Sequence, residues 1–327
     1  MNNSSSSVSV SNVTKKYGDF VAVGDLSFEV KTGSVYGILG PNGAGKTTTL
    51  RMINDILMPD SGEIRLLGDL RPGMEAAQRI GYLPEERGLY PKMKVTETLV
   101  FFGELRGLGR KQARKQAGLW LERLKIQDWH DNKVQDLSKG MQQKVQFAAA
   151  LIHDPELLIL DEPWSGLDPI NAEVLKDIVL AQKDAGKTVL FSTHLMDQAE
   201  EICDSVCIMA RGKLALEGKL ADLKRDAASE GVVQLAFASD EEQKRALATV
   251  LASEMVKIRT TSNAMVEVQL QDGHESGELL AELVKERLQL RRFEHRSPSL
   301  HEIFVNTVGQ LAGTEVAERE ESRGART

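Results

Sequence analysis

Cysteine and aromatic residues are scarce in this chain, and long apolar runs are missing from it. Its 327 residues include two cysteines, Cys203 and Cys207, and aromatic side chains make up 5%. The cysteines have no His or Cys companion nearby, so two buried thiols in a reducing cytosol are favoured over a metal site. No uninterrupted apolar stretch approaches the roughly 20 residues that a membrane-spanning helix needs.

The charge balance argues against a nucleic-acid partner, and the amino terminus argues against a signal peptide. The net charge is −7, which disfavours a nucleic-acid partner held by phosphate contacts. Residues 1–7 read Met-Asn-Asn-Ser-Ser-Ser-Ser and lack the basic and apolar regions of a signal peptide. We expect them to form a disordered leader. The remaining composition is that of a globular protein, and the length favours about two domains.

A glycine-rich run in the first fifth of the chain matches the phosphate-binding P-loop, G-x-x-x-x-G-K-[ST]. It comprises, with the threonine that follows, Gly40, Pro41, Asn42, Gly43, Ala44, Gly45, Lys46, Thr47 and Thr48. An apolar run precedes it and helical spacing follows it, which is the context that the motif needs. The glycines let backbone N–H groups point at phosphate oxygens, and the helix N-terminus adds positive charge. We expect Lys46 to neutralise the β- and γ-phosphates and the Thr47 hydroxyl to ligate Mg²⁺.

A second apolar strand ends in two carboxylates. Leu157-Leu-Ile-Leu160 is followed directly by Asp161 and Glu162. Burial of this strand would fix its carboxyl end beside the P-loop, where Asp161 can hold Mg²⁺ directly or through water. Glu162 can then polarise the attacking water as a general base. An ordinary strand end with exposed acids would be the better interpretation of the strand alone, but it is disfavoured once a P-loop is present.

Strands alternate with helices through the first two-thirds of the chain, which predicts an α/β domain with a parallel sheet covered on both faces. We expect this domain to span residues 8–222, with a helical subdomain at about 86–156. Residues 223–231 read as a linker. From there the order β-α-β-β-α-β predicts a ferredoxin-like α+β domain within 223–310. Residues 311–327 are polar and are expected to be a disordered tail.

With these motifs in this order, the chain resembles the ATP-binding subunit of an ABC transporter from residue 8 to about 220. The resemblance implies ATP and Mg²⁺ as ligands, and Tyr17 as the aromatic that stacks on adenine. Stacking on a base contributes about 1–3 kcal/mol. Asp168, in Trp164-Ser-Gly-Leu-Asp168, resembles the D-loop residue at a dimer interface. His194 follows a strand and resembles the switch histidine that contacts the γ-phosphate.

Leu137-Ser-Lys-Gly-Met-Gln142 occupies the place of the family signature, usually Leu-Ser-Gly-Gly-Gln. Ser138 can cap the helix that starts there, and a helix N-terminus can bind an anion. The resemblance implies that this end, with Ser138 and Gly140, presses on the γ-phosphate held by the other subunit. Lys139 and Met141 depart from the family pattern.

Glu85 stands where the family usually has a glutamine that senses Mg²⁺ or water, and a carboxylate can also ligate Mg²⁺. The segment Glu85-Glu-Arg-Gly-Leu-Tyr90, the signature variant and the extra C-terminal domain together resemble the branch of ABC-2-type exporters. That branch includes sodium-extrusion and drug-resistance ATPases.

The resemblance implies an ATPase subunit that powers export through a separate integral membrane permease, on the cytoplasmic face of the cell membrane. One P-loop and one signature in the chain imply a homodimer, or a heterodimer with a similar subunit. One alternative is a soluble ABC ATPase in repair or translation, although neither long coiled coils nor a second cassette appears. Another is a regulatory module that binds ATP and hardly hydrolyses it, against which Glu162 argues.

Overall fold

The computed structural model describes residues 6–86, 88–228, 231–262, 265–271, 273–296 and 298–309. The chain divides into two compact units, the second of which spans Leu220–Asn306. Among the described residues, none of the helices combines the length and the apolar character needed to span a bilayer.

The strands of the first unit are β1 (Ser6–Tyr17), β2 (Phe20–Lys31), β3 (Val35–Leu39), β4 (Ser61–Leu66), β5 (Ile80–Leu83), β6 (Leu157–Asp161), β7 (Thr188–Thr193), β8 (Ser205–Ala210) and β9 (Lys213–Lys219). Three of them form an antiparallel sheet in the order β2-β1-β4, and six form a sheet in the order β5-β6-β7-β3-β8-β9. Neighbours in the larger sheet run parallel except β8 and β9. The predicted parallel sheet is confirmed, with one antiparallel strand added at its edge.

The helices of the first unit are α1 (Lys46–Ile53), α2 (Met74–Ala77), α3 (Val95–Leu105), α4 (Arg110–Arg123), α5 (Lys139–Leu151), α6 (Pro169–Asp184) and α7 (Met196–Ile202). Helices α3, α4 and α5 lie within the segment predicted to be a helical subdomain. The helices α3 and α4 approach closely at Gly103, because a Cβ there would lie 2.9 Å from the Cβ of Ala113.

The central strands of the larger sheet are buried from end to end. Every residue of β3, β6 and β7 is buried. A parallel strand covered on both faces has no solvent side, so its sequence is a continuous apolar run rather than an alternation. Asp161, Ser192 and Thr193 lie at the carboxyl ends of β6 and β7, and that edge is where the site forms.

The second unit contains α8 (Leu220–Ala228), β10 (Val232–Phe237), α9 (Asp240–Ala248), β11 (Val256–Thr261), β12 (Val266–Leu270), α10 (Ser276–Lys285), β13 (Leu290–His295) and most of a last helix over 300–309, α11. Its sheet has the order β11-β12-β10-β13 with antiparallel neighbours throughout. The strand β12 therefore lies between β10 and β11, and β10 between β12 and β13. Two interleaved split βαβ units result, which confirms the predicted α+β fold.

Two segments differ from the sequence expectation. Strand β1 begins at Ser6, inside the expected leader, and Ser7 is buried with its Oγ 2.8 Å from the Oγ1 of Thr188. Helix α8 occupies most of the expected linker, because Leu, Ala, Lys and Arg are strong helix formers and Arg225 pairs with Asp222 at 3.0 Å. Residues 1–5 and the expected tail, 311–327, lie outside the described residues.

Neither cysteine is in a disulfide. Cys207 is fully buried in β8 and Cys203 is half-buried just before that strand. Burial raises the pKa of both thiols, as expected for thiols that pack as apolar groups.

Candidate nucleotide-binding site

Three neighbouring parallel strands end at the same edge of the larger sheet. Asp161 at the end of β6 lies opposite Ser192 on β7, and Thr193 lies opposite Leu39 on β3. Segments that follow adjacent parallel strands open into one crevice. The P-loop follows β3, Glu162 follows β6 and His194 follows β7, so the sheet brings together residues far apart in the chain.

A cavity of about 380 Å³ lies at this edge. It is lined by Tyr17, Phe20, Ala22, Asn42, Gly43, Ala44, Gly45, Lys46, Thr47, Thr48, Glu85 and Glu162. The volume is in the range of about 300–1,000 Å³ that small-molecule sites occupy. Two predicted nucleotide-binding residues, Gly40 and Pro41, lie outside the lining. Their carbonyl oxygens accept hydrogen bonds from Lys46 Nζ at 2.8 and 3.2 Å.

The P-loop backbone depends on glycine where it enters α1. Gly45 caps that helix with a φ of 101°. A Cβ at this position would also lie 2.6 Å from the carbonyl oxygen of Ala22, so a side chain is excluded both by conformation and by space. The helix begins at Lys46, directly after the loop, so its first N–H groups face the cavity edge where an anion would be stabilised.

Glu162 is the most constrained acidic residue of the site. Its φ of 48° is left-handed, a conformation that costs a non-glycine residue about 1–2 kcal/mol. One carboxylate oxygen, Oε1, lies 3.5 Å from Lys46 Nζ. The other, Oε2, lies 3.0 Å from His194 Nδ1 and accepts a bond from Thr193 Oγ1 at 3.3 Å. The carboxylate is thereby held in one orientation between a cation and an imidazole.

Asp161 is buried next to the P-loop threonine. Its Oδ1 accepts hydrogen bonds from Thr47 Oγ1 at 3.2 Å and from Ser192 Oγ at 2.5 Å. Its Oδ2 is buried and has no hydrogen-bond partner among the described atoms. Burial raises the pKa of this carboxyl, and the neighbouring Glu162 charge raises it further, while the bonds from Ser192 and Thr47 oppose the shift.

These donors fit a magnesium ion. A carboxylate oxygen without a partner beside a hydroxyl is a hard oxygen set of the kind that Mg²⁺ prefers. Across the part of the chain that the structure describes, no group of three or more His, Cys, Asp and Glu side chains could hold a metal by itself. A phosphate-site Mg²⁺ needs only one or two protein carboxylates, because water and the substrate supply its other ligands. Glu85, predicted as a third ligand, lines the same cavity.

Three more predicted residues, besides Gly40, Pro41, Asp161 and His194, are absent from the cavity lining. Ser138 caps α5, and its Oγ accepts a bond from Met141 N at 3.3 Å. Asp168 caps α6 through the N–H of Asn171 at 3.0 Å. Gly140 lies against the start of α6, since a Cβ there would be 3.6 Å from Asn171. The signature segment and the D-loop segment are therefore adjacent to each other and do not line the cavity of their own chain.

The sequence interpretation missed residues that contribute to the site. Phe20 lines the cavity with Tyr17, its pairing partner across the tight turn between β1 and β2. Both rings are exposed, at 64% and 50%. The signal was present in Tyr17-Gly-Asp-Phe20, because two residues between two strands make the flanking side chains cross-strand neighbours.

Gln146 was missed as well. Its Nε2 donates to the carbonyl oxygens of Pro84 and Glu86, at 3.1 and 3.0 Å. It thus binds the backbone on both sides of Glu85 from helix α5, which also carries Ser138 at its N-terminus. A lone glutamine within a helix offered no signal of this contact.

The P-loop follows the buried parallel strand β3, and the acidic pair follows β6, which is separated from β3 by β7 alone. This arrangement defines a P-loop nucleotide-binding protein. Comparison with known proteins gives the family. The model described as ABC transporter matches residues 23–165, and the model for the DrrA1-3-like ATP-binding protein C-terminal domain matches 218–308. The uncharacterized ABC transporter ATP-binding protein YhaQ of Bacillus subtilis (strain 168) is 43% identical over 306 residues, 93% of this chain and 99% of that protein. The chain belongs to the ABC transporter ATP-binding proteins.

Three other comparisons agree. The linearmycin resistance ATP-binding protein LnrL of Bacillus subtilis (strain 168) is 32% identical over 304 residues, 91% of this chain and 97% of that protein. The solved structure of an ATP-binding subunit of an ABC transporter matches with a TM-score of 0.62 at 31% identity, over 67% of this chain and 92% of that one. A dimeric cassette in a post-hydrolysis state, bound to ADP and Pi, matches with a TM-score of 0.61 at 25% identity, over 65% and 98%.

Family membership confirms the predicted resemblance, the fold class and the assignment as an ATP-hydrolysing subunit of ABC type. These matches give no support to a role in repair or translation. The roles of individual site residues remain predictions.

Proposed function

We propose that this chain powers export by hydrolysing Mg-ATP on the cytoplasmic face of a cell membrane, bound to a separate integral membrane permease. The observation that carries the proposal is the contact set of Glu162, which lines the P-loop cavity and contacts both Lys46 and His194. Export is supported by relatives whose names include Nod factor export and linearmycin resistance. The first of these, from Cupriavidus metallidurans (strain ATCC 43123 / DSM 2839 / NBRC 102507 / CH34), is 36% identical over 310 residues, 91% of this chain and 96% of that protein.

The residues in and around the cavity have different proposed roles in binding Mg-ATP. Lys46 and the loop N–H groups bind the phosphates, and the rings of Tyr17 and Phe20 provide surfaces for the adenine. Thr47 and Asp161 would hold Mg²⁺, with Glu85 as a further candidate ligand. A bound Mg²⁺ neutralises charge on the phosphate oxygens during phosphoryl transfer.

Glu162 is proposed as the general base. Its carboxylate lies at the cavity wall, from where it would accept a proton from the attacking water. His194 is proposed to orient this carboxylate through Oε2 and to contact the γ-phosphate. About 10²–10⁴-fold of rate is expected from such a base.

The chain is proposed to act as a dimer, either with itself or with a similar subunit. The cap Ser138 and the residue Asp168 are both exposed, and neither lines the cavity of its own chain. This exposure leaves the α5 N-terminus open to a nucleotide held by another subunit, and the match to a dimeric cassette bound to ADP and Pi supports a dimer. We assign residues 8–222 to the ATPase domain and 223–310 to an accessory domain.

The test is to separate ATP binding from hydrolysis and then to look for the permease. Glu162→Gln keeps the side-chain size and removes the base, so we expect ATP affinity to persist, hydrolysis to fall at least 100-fold and a dimer to accumulate in Mg-ATP. The control is Glu122→Gln, an exposed glutamate on α4, which should leave turnover unchanged. Sedimentation velocity and phosphate release give the two readouts.

The trapped protein can then be used as bait in detergent-solubilised membranes of the source cell. A multi-spanning protein recovered with Glu162→Gln in ATP, and retained through size exclusion, supports the export proposal. Undiminished hydrolysis in Glu162→Gln contradicts the site, whereas recovery of ribosomal or repair proteins in place of a permease contradicts the transport role.

A further inference from the structure

Glu85 lies just beyond the part of β5 that the larger sheet holds in place. The pairing between β5 and β6 ends where Leu83 lies opposite Leu160, one residue before Asp161. Pro84 has no N–H group and cannot donate to a further ladder bond. Glu85 therefore lines the nucleotide cavity from a segment whose backbone needs a partner outside the sheet.

That partner is the side chain of Gln146. Its Nε2 donates to the carbonyl oxygen of Pro84 at 3.1 Å and to that of Glu86 at 3.0 Å. One amide group thus holds the carbonyl groups on both sides of Glu85. The opposite orientation of the amide would place its Oε1 against two acceptors, so the two bonds fix the side chain in a single orientation.

The burial of Gln146 shows that these bonds matter. The residue is only 5% exposed, and its Oε1 has no hydrogen-bond partner among the described atoms. A buried acceptor without a partner destabilises a fold. An apolar side chain would avoid that penalty but would leave the carbonyl oxygens of Pro84 and Glu86 without this donor. The glutamine is therefore explained by the segment that it holds.

A second polar contact of this segment is weaker. Glu86 Oε1 lies 3.9 Å from Arg51 Nη2, and the glutamate side chain is 89% exposed. An exposed ion pair at this distance restrains a backbone little. Glu85 itself is exposed and forms no ion pair with the other residues that the structure describes. Its carboxylate is thus available to the cavity, and its position depends on the backbone that Gln146 holds.

The carboxylates of Glu85 and Asp161 belong to one region of the site. Burial, and then the charges of Asp161 and Glu85, raise the pKa of Tyr82 from 10.0 to about 12, so both charges act on the same hydroxyl group. Mg²⁺ binds its oxygen ligands at about 2.0–2.1 Å in a nearly ideal octahedron. A carboxylate therefore has to be held in place to serve as a ligand, and the residues that hold a ligand strongly affect metal affinity.

We propose that Gln146 is a positioning residue, which holds Glu85 where its carboxylate can ligate the Mg²⁺ of bound Mg-ATP. This inference rests on the proposed function of the site. Gln146 does not line the cavity and acts only through the backbone on both sides of Glu85. Loss of its two bonds should therefore weaken the binding of nucleotide that carries Mg²⁺ and leave the binding of metal-free nucleotide unchanged.

The test is calorimetric titration of the full-length protein with the non-hydrolysable ATP analogue AMP-PNP, once with Mg²⁺ and once with EDTA. Gln146→Met keeps the side-chain length and removes both donors. We expect about tenfold weaker affinity with Mg²⁺ and unchanged affinity in EDTA. The control is Gln243→Met, which removes a buried glutamine of the second unit whose Nε2 donates to the carbonyl oxygen of Ser262 at 2.7 Å. It should leave both affinities unchanged.

A double-variant cycle shows whether Gln146 acts through Glu85. Glu85→Ala should weaken the Mg²⁺ complex at least as much as Gln146→Met, and the double variant should bind no more weakly than Glu85→Ala alone. Gln146→Glu, which replaces the donor by an acceptor, should give the same pattern as Gln146→Met. This second variant tests the loss of the donor independently of the apolar replacement.

Three results would overturn the proposal. They are additive losses in the double variant, equal losses with Mg²⁺ and in EDTA, and an unchanged affinity for the Mg²⁺ complex in Glu85→Ala. Each would leave the proposed function intact as long as the wild type hydrolyses Mg-ATP and Glu162→Gln does not. Undiminished hydrolysis in Glu162→Gln is the separate result that contradicts the proposed function.

Discussion

Lys46 and Glu162 form a buried ion pair in the nucleotide site, with Nζ 3.5 Å from Oε1 and side chains only 6% and 7% exposed. Lys46 is thereby shared between Glu162 and the carbonyl oxygens of the P-loop. A phosphate bound in this loop would compete with Glu162 for the same ammonium group. The pair would therefore link the occupancy of the phosphate site to the position of Glu162, the proposed base.

Lys46→Ala should abolish hydrolysis and weaken ATP binding strongly, because it removes the charge that faces the β- and γ-phosphates. It should also destabilise the protein by about 3–5 kcal/mol, since the buried Glu162 loses its cation. Calorimetric titration with ATP and chemical denaturation measure the two effects. The control is Lys111→Ala, an exposed lysine on α4. Unchanged ATP affinity would contradict the role given to Lys46.

Phe20→Ala should lower ATP affinity about tenfold, because base stacking contributes about 1–3 kcal/mol and 1.4 kcal/mol is a factor of ten. Binding of tripolyphosphate, which has no base, should not change. Val21→Ala is the matched control, since Val21 neighbours Phe20 on β2 and does not line the cavity. An equal loss of tripolyphosphate binding would show that Phe20 acts on the phosphates or on the fold.

Stability should fall in mild acid because of His153. Its Nε2 lies 3.1 Å from the carbonyl oxygen of Ile80, and its buried Nδ1 has no hydrogen-bond partner among the described atoms. Burial, and then the charge of Arg106, lowers the pKa of this imidazole from 6.5 to about 4. The folded protein therefore keeps the ring neutral where the unfolded chain protonates it. The penalty begins near pH 6.5, grows as the pH falls and levels off below about pH 4.

The measurement is the free energy of unfolding of wild type and His153→Gln between pH 7.5 and 4.5. The wild type should lose more stability than the variant over this interval, by at most about 3 kcal/mol, because one pKa unit corresponds to about 1.4 kcal/mol. Parallel pH profiles for the two proteins would mean that His153 does not contribute to the acid sensitivity.

Truncation after Lys219 should leave a folded domain that binds ATP, since the P-loop, the Asp161 strand and His194 all precede that residue. Every strand of both sheets in the first unit is then retained. Circular dichroism and ATP titration, compared with the full chain, provide the test. A truncated protein that folds but no longer binds ATP would show that the site depends on the second unit.

The parts of the fold that could be predicted from sequence are those encoded locally. Gly45 and Lys46 belong to a motif whose conformation follows from glycine freedom and helix-terminus charge, so its place after a buried strand was predictable. The bond between Ser192 and Asp161 was not, because it depends on β7 lying between β6 and β3. Sheet order of this kind is set by packing of distant segments, which no local pattern encodes.

The expected linker is a case in which a local sequence signal was available, yet the prediction differs from the structure. Residues 223–231 follow the last strand of the first unit, and the change of pattern suggested an irregular connection. Helix α8 forms there because its residues have high helix propensity and an Arg225–Asp222 pair. The helix propensity of these residues therefore indicates their structure better than the change of pattern does.

Gln146 couples the position of helix α5 to that of the segment around Glu85. The helix has 13 residues and is therefore about 20 Å long. Ser138 caps its N-terminus, and Gln146, two turns further on, is hydrogen-bonded to the backbone of Pro84 and Glu86. A force on the N-terminus of α5 would move the helix as one body, and the segment hydrogen-bonded to Gln146 would move with it. Glu85, which lies between the two residues whose carbonyl oxygens bind Gln146, would be displaced together with the helix.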